Sequence, residues 1–219
     1  MENKNLPEEM QHYCISEFCK IKGNVIHSSL DQFHKKIILE NDFADFSKVL
    51  YQQLNVDYPK FFKMDNLCKL AFLTSEILLK NASLHEYNEE KIGVVISNAA
   101  STLDTDNNYF NTIIDKNNYF PSPALFVYTL PNILNGEICI RNKIKGENAF
   151  FVFDEFNPNF ICDYVMSLFK TEKIDCCITG WVDYTKDNFE SILFLVEKNT
   201  IEISKKQFNK ENTKEIYLA

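Results

Sequence analysis

Short, largely apolar runs separated by longer amphipathic stretches are the feature that most constrains how this chain can fold. The runs are Ile92–Ile96, Ala149–Phe153, Cys176–Val182 and Ile192–Glu197. Runs of this length without polar alternation are typical of strands buried on both faces of a sheet. The two longer stretches between them carry apolar residues at helical spacing. Strands that alternate with helices predict one α/β domain with a mixed, mostly buried sheet flanked by helices.

Two of the predicted helices have a recognisable first residue. Asp65 is a suitable N-cap for the apolar, helically spaced segment that follows it. Asn157 and Pro158 combine an N-cap with a proline at the first helical position, where its missing N–H is not needed. Elsewhere, Tyr13–Ile26 predicts one or two strands and Leu30–Ile38 predicts a short helix.

Composition argues against several classes of function. The chain has 219 residues, of which 45% are apolar and 25% charged, as is typical of a globular domain. Because the net charge is −8 and no stretch is dense in Lys or Arg, we expect no nucleic-acid partner. No apolar run approaches the roughly 18 residues of a membrane span, and residues 1–5 are too polar for a signal peptide. Only five Gly occur, without a phosphate-binding glycine motif, so we expect no cofactor.

The cysteines and histidines indicate neither a metal site nor a redox centre. Seven Cys is an odd number without metal-ligand spacing, which predicts free thiols in a reducing cytosol. The adjacent Cys176 and Cys177 lie in an apolar run, where neighbouring side chains point to opposite faces, so we expect two buried thiols. The four His all lie within the first 85 residues without zinc-ligand spacing, and we expect no bound metal.

The most informative local feature is the turn between the apolar run that ends at Phe153 and the helix that begins after Asn157. Asp154 and Glu155 in this turn lie near the free N–H groups of a helix N-terminus. Enzymes use such a position to activate a thiol or to bind an oxyanion. Carboxylates there also stabilise the helix, by about 0.3–1 kcal/mol, and the residues alone favour this second role.

Four segments, in order and at matching separations, resemble the N-terminal half of β-ketoacyl synthases. Tyr58–Leu70 resembles the family's basic-Met-Asp motif at the start of a helix, and Ile92–Ile96 resembles its next strand. Pro123–Gly146 is similar to its stretch with Thr, then Asn and Gly, then a basic residue with Gly. Asp175–Asp183 is similar to its strand with a Gly pair, although Trp181 replaces the second Gly.

The resemblance implies a single thiolase-like domain over about residues 11–200, with 201–219 as a tail or an extra edge strand. It places Glu155 at the position of the nucleophilic Cys, or Asp154 if the register shifts by one residue. A carboxylate cannot replace the thiolate that accepts the acyl group. The family's two catalytic His and its Lys belong to a second half, which we expect this chain to lack. No catalytic residue is therefore assigned.

A ketosynthase-like chain without its nucleophile resembles a chain-length factor, the subunit that pairs with an active ketosynthase. It resembles the short type found in aryl-polyene and flexirubin pigment clusters. This implies a cytoplasmic heterodimer with a full-length β-ketoacyl synthase in polyketide or fatty-acid-type biosynthesis, with an acyl carrier protein reached through that complex.

The resemblance also implies two sets of contact residues. The strand before the nucleophile turn pairs across the dimer in this family, and here it comprises Ala149, Phe150, Phe151, Val152 and Phe153. The family's loop that reaches the partner's acyl tunnel corresponds to Leu125, Phe126, Tyr128, Thr129 and Ile133. The competing interpretation is that the first set is simply the central strand and the second consists of ordinary core residues.

Two other functions remain open from the sequence. The chain could be an enzyme, such as a malonyl decarboxylase, with Glu155 or Asp154 as a general base. Such a base needs a raised pKa, whereas a helix N-terminus favours the ionised carboxylate. The chain could instead be a binding module for carrier proteins or other proteins, although its acidic charge opposes an acidic carrier protein.

Overall fold

The computed structural model describes residues 12–33, 35–36, 42–117, 119–186, 188–199 and 205–219. These residues form one eight-stranded sheet, in which seven strands follow the order β3-β2-β1-β7-β6-β4-β5 and β8 pairs with β1. The strands are β1 (His12–Lys22), β2 (Val25–Ser28), β3 (Lys35–Lys36), β4 (Ile92–Asn98), β5 (Asn148–Val152), β6 (Cys176–Thr185), β7 (Asn188–Asn199) and β8 (Lys206–Gln207).

The sheet is mixed, as the sequence predicts. Strand β4 pairs in parallel with both β5 and β6, whereas β6, β7, β1 and β2 pair antiparallel in succession. The apolar run of β4 is buried along its whole length, which agrees with a central parallel strand. The carboxyl ends of the parallel strands β4 and β5 therefore lie side by side at the same end of the sheet.

Seven α-helices cover the two faces of the sheet in the described part of the chain. They are α1 (Phe43–Leu54), α2 (Asn66–Leu78), α3 (Leu103–Asn111), α4 (Pro123–Val127), α5 (Ile133–Asn142), α6 (Pro158–Lys170) and α7 (Lys210–Leu218). Helices α1, α2 and α5 pack in one hydrophobic core, and α6 and α7 pack in the core on the opposite face. Cys176 belongs to the first core and Cys177 to the second, which confirms that these thiols are buried on opposite faces.

The predicted helix caps are present. Asp65 Oδ1 accepts a hydrogen bond from the Cys68 N–H at 2.9 Å, at the start of α2. Asn157 Oδ1 accepts one from the Phe160 N–H at 3.0 Å, and Pro158 is the first residue of α6. Each side chain satisfies one of the donors that a helix N-terminus leaves free.

Three local predictions need correction. Within Leu30–Ile38, the described residues form a 3₁₀ turn at Asp31–Phe33 followed by β3, and residues 34, 37 and 38 lie outside the described part. Strand β5 is half-buried at the edge of the sheet, not buried on both faces or central. The C-terminal segment contains α7 in addition to the edge strand β8. Helix α7 has only two buried residues, so its sequence carries little apolar periodicity.

Candidate functional site

The turn between β5 and α6 lies at the carboxyl edge of the parallel strands. The Phe153 N–H donates to the Asn98 carbonyl at 2.9 Å, so the turn begins beside the end of β4. Asp154 and Glu155 follow, and both are exposed. The hydrogen bond to the α6 N-terminus comes from Asn157 instead. Neither carboxylate caps the helix, so both are available to a ligand or a second protein.

A cleft of about 680 Å³ runs beside this turn. Residues 153–159 form one wall, and Lys214, Tyr217 and Leu218 of α7 form the other. The centre of the Tyr217 ring lies 4.9 Å from the centre of the ring of Phe156, which is buried. Helix α7 therefore contributes to the candidate site, although the sequence pattern gave no signal for it.

Tyr217 remains a neutral phenol at physiological pH. Burial raises the pKa of Tyr217 to about 12, and the nearby carboxylates of Glu190 and Glu155 add to the shift. The phenol hydroxyl donates to Glu190 Oε2 at 3.4 Å. Tyr217 therefore uses its one hydroxyl proton on Glu190 and cannot serve as a base near neutral pH.

The loop that follows β4 is held by a further carboxylate. Asp183 Oδ1 accepts hydrogen bonds from the N–H groups of Ala99 and Ala100, at 3.0 and 2.9 Å. Asp183 is the acid that ends the segment Asp175–Asp183, and in the sequence it is recognisable only as part of a family pattern. Its role in fixing the loop beside the turn depends on contacts between distant segments and was not predicted.

None of the seven cysteines occupies the turn, and all seven are free thiols. Six are buried, and Cys139 is half-buried. Burial raises the pKa of Cys139 and of Cys162 to about 11, and it also raises the pKa of Cys19, Cys68 and Cys177. A thiol acts as a nucleophile only when ionised, so these thiols are poor candidates for acyl transfer.

Neither a metal cluster nor a membrane span occurs in the described residues. No group of three or more His, Cys, Asp or Glu side chains among them is arranged to hold a metal ion. No helix in the described ranges combines the length and apolar character needed to cross a membrane.

The predicted tunnel residues lie in a segment that we call the arm, residues 103–130, which contains α3 and α4. Phe126 is 52% exposed, whereas Tyr128 is 8% exposed and donates its hydroxyl to Glu137 Oε1 at 3.2 Å. Leu125, Thr129 and Ile133 (the last just beyond the arm) are half-buried. The structure therefore places Phe126 and Tyr128 in opposite environments, which favours Phe126 for contact with a second subunit.

The arm carries most of the exposed large apolar side chains of the described residues. Of thirteen such side chains, eight lie in the arm: Leu103, Phe110, Ile114, Tyr119, Phe120, Phe126, Val127 and Leu130. A concentration of exposed apolar side chains in one segment is typical of an interaction surface. Sequence reasoning missed the α3 half of this surface because the resemblance drew attention only to the segment after Pro123.

Strand β5 offers a second surface for interaction. Glu147 accepts from the Val94 N–H and Phe153 donates to Asn98, so the odd-numbered residues of this segment bond to β4. In a parallel pair, the backbone groups of Phe150 and Val152 then point away from β4. No described strand pairs with that edge, and Val152 is 52% exposed. An open edge of this kind can pair with a strand of another chain.

No family model and no curated protein matches the chain. Solved structures do. The ishigamide ketosynthase/chain length factor is similar with a TM-score of 0.64 at 15% identity, over 88% of this chain and 63% of that one. A β-ketoacyl synthase from Burkholderia phymatum STM815 is similar with a TM-score of 0.60 at 10% identity, over 87% of this chain and 60% of that one.

A third similar structure is a ketosynthase (ApeO) in complex with its chain length factor (ApeC) from Xenorhabdus doucetiae. Its TM-score is 0.55 at 10% identity, over 86% of this chain and 80% of that one. At such identities the likeness establishes the fold, and the predicted thiolase-like ketosynthase fold is confirmed. The chain spans 63% of the length of the ishigamide protein and 60% of the Burkholderia one.

Proposed function

We propose that this chain is a non-catalytic subunit resembling a chain-length factor, which pairs with an active β-ketoacyl synthase and shapes its acyl tunnel. The observation that carries the proposal is the chemistry of the β5–α6 turn. The resemblance aligns this turn with the nucleophilic Cys, yet it presents the carboxylates Asp154 and Glu155. The thiols of the chain lie elsewhere, and burial raises the pKa of six of them: Cys19, Cys68, Cys139, Cys162, Cys176 and Cys177.

Two surfaces support pairing with a second protein. The open edge of β5 supplies backbone groups that no described strand pairs, and the arm supplies apolar side chains that are exposed in the single chain. Backbone pairing fixes register, while buried aromatic side chains contribute most of the energy of an interface. Two of the similar structures are a ketosynthase/chain length factor and a ketosynthase in complex with its chain length factor, which favours a ketosynthase as the partner.

Within this proposal, Phe126 is the first candidate for limiting chain length. It is exposed on the arm, and the centre of its ring lies 5.7 Å from the centre of the Tyr109 ring. A rigid aromatic side chain in a tunnel stops a growing acyl chain by steric exclusion, since overpacking is unfavourable by about 1–3 kcal/mol. This role is compatible with the synthesis of polyketides and of fatty-acid-type products. Within these classes, we propose the formation of aryl polyenes.

The test is co-expression with a full-length ketosynthase from the same organism, followed by purification and a product assay with a carrier protein. We expect a 1:1 complex, and we expect Phe126→Ala in this chain to shift the products toward greater length. Phe62→Ala is the matched control, because Phe62 is 59% exposed and lies outside the arm. Failure to form a complex, or equal products from both variants, would contradict the proposal.

The same complex distinguishes a subunit from an enzyme. The double substitution Asp154→Asn with Glu155→Gln removes both carboxylate charges and keeps the side-chain volumes. If the chain is a non-catalytic subunit, we expect malonyl turnover by the complex to stay within about twofold of the unmodified rate. Surface substitutions rarely change stability by more than ~0.5 kcal/mol, so the complex should remain folded. Loss of malonyl turnover would favour the decarboxylase interpretation, with these carboxylates as the base.

A further inference from the structure

The arm is attached to the rest of the molecule by very few buried side chains. Among its described residues, only Thr105 and Tyr128 are buried, and the other side chains are half-buried or exposed. Both buried residues carry a hydroxyl group, and one lies near each end of the arm. Apart from the Tyr128 ring, which packs in the core formed by α1, α2 and α5, no described side chain of the arm belongs to either hydrophobic core.

Each buried hydroxyl donates a hydrogen bond to a carboxylate outside the arm. Thr105 Oγ1 donates to Asp65 Oδ2 at 2.6 Å, and Tyr128 Oη donates to Glu137 Oε1 at 3.2 Å. Hydrogen bonds to ionised acceptors are stronger than those between neutral groups. The two contacts join α3 to the start of α2 and the end of α4 to α5.

The carboxylate that receives Tyr128 is itself held in place. The Glu137 side chain is 4% exposed, and the Lys60 ammonium lies 2.8 Å from its Oε2. One oxygen of Glu137 thus faces the phenol and the other faces the ammonium group. Burial, together with the neighbouring Glu137 charge, raises the pKa of Tyr128, so the phenol keeps the proton that it donates.

The base of the arm is closed by a further hydrogen bond. Thr102, which precedes α3 and is buried, has its Oγ1 3.1 Å from the carbonyl oxygen of Thr129. This contact brings the two ends of the arm together. The arm is consequently a loop closed at its base and pinned at two hydroxyl–carboxylate contacts, with its apolar side chains outside.

We propose that Tyr128, Glu137 and Lys60 are positioning residues that hold the arm, and with it Phe126, in the pose in which a second protein binds it. The partner of the arm rests on the proposed function, whereas the anchoring itself does not. An arm already held in its bound pose loses less conformational entropy on association, which raises affinity without adding a contact.

Hydrogen–deuterium exchange of the isolated full chain tests the anchoring without any second protein. Tyr128→Phe removes only the hydroxyl, and we expect exchange in residues 119–127 to rise roughly tenfold or more, given the strength of a hydrogen bond to a charged group. Exchange in β4 and β6 should stay unchanged. Tyr109→Phe is the matched control, since it removes an arm hydroxyl for which the structure gives no hydrogen bond, and we expect no local change.

Three further variants guard against a merely structural effect. Glu137→Gln keeps an oxygen that can accept from Tyr128, so we expect a smaller rise than for Glu137→Leu, which keeps none. Thr105→Val tests the other anchor with little change in volume, and it should raise exchange in α3. The proposal would be overturned if Tyr128→Phe left exchange in the arm as slow as Tyr109→Phe does. It would also be overturned if Tyr128→Phe raised exchange equally throughout the sheet. Because no ketosynthase is present, this outcome is separate from failure of the proposed function.

Discussion

At the residue scale, Asp65 illustrates how a position can be partly predictable from sequence. Its role as N-cap of α2 follows from local spacing, and the structure confirms it. Its second role, accepting from Thr105 forty residues away, leaves no local pattern and was not predicted. The same holds for the ion pair of Glu137 with Lys60, which belongs to a distant segment of the chain. Polar contacts of this kind are specified by the tertiary fold.

Asp65 also gives a prediction about pH. Burial raises the pKa of Asp65 above its ordinary value of 3.8, and this outweighs its hydrogen bonds from Thr105 and Cys68, which lower it. The native state therefore binds this proton more readily than the unfolded state, so the contribution of Asp65 to stability grows as pH falls through the raised pKa toward 3.8.

Asp65→Asn keeps a capping oxygen but cannot be protonated. In urea unfolding between pH 7 and pH 4, we expect the stability of the unmodified chain relative to this variant to increase on acidification. A constant or decreasing difference would show that burial does not control the pKa of Asp65.

At the element scale, the order and type of most strands and helices follow from apolar patterns, but their neighbours do not. The run Ala149–Phe153 resembles a central strand in composition, yet β5 lies at the edge of the sheet. Residue patterns describe how apolar a strand is and not which strand lies beside it. Helix α7 was not predicted because its sequence carries no clear apolar stripe. Polar contacts such as that of Thr213 with Cys162 help to hold it instead.

Two glycines in different elements predict opposite effects of the same substitution. Gly180 in β6 has φ +150°, and a Cβ there would lie 2.0 Å from the Ile192 carbonyl oxygen on β7. Gly180→Ala should therefore destabilise the chain by about 3 kcal/mol or more, from strain and overpacking together. Gly136 lies within α5, and a Cβ added there would meet no atom within 4 Å outside the helix backbone, so Gly136→Ala should stabilise by about 0.5–1 kcal/mol.

Urea denaturation of the two glycine variants beside the unmodified chain checks both signs in one experiment. If Gly180→Ala unfolds at the same urea concentration as the unmodified chain, β6 and β7 do not approach each other as closely at this position as the structure shows. If Gly136→Ala is destabilising, the space beside Gly136 in α5 is not open.

At the scale of the whole molecule, the two faces of the sheet are covered differently. Three helices pack on one face, while α6 and the C-terminal α7 pack on the other. Helix α7 also forms one wall of the cleft beside Glu155, so its docking determines the shape of the candidate site. The resemblance to ketosynthases, drawn over residues 11–200, gave no information about this helix.

A buried lysine from the opposite end of the chain contacts the last turn of α7. Lys20 of β1 is 9% exposed, and its ammonium donates to the Tyr217 carbonyl oxygen in the last turn of α7, at 2.5 Å. The same ammonium lies 5.5 Å from the centre of the Tyr217 ring. A positive charge at the C-terminal end of a helix is favourable because the free carbonyl groups there carry partial negative charge.

Lys20→Met keeps the apolar stem of the side chain and removes its charge, so we expect α7 to be destabilised by about 1–2 kcal/mol. Limited proteolysis should then cut within residues 205–219 several times faster, while the sheet stays intact. Lys22→Met is the matched control: its ammonium lies 3.4 Å from Glu190 on a side chain that is 61% exposed, and pairs of this kind contribute little. Equal cleavage of both variants would mean that apolar packing alone holds α7, and the cleft beside Glu155 would then owe its shape to Phe208 and Ile216 rather than to Lys20.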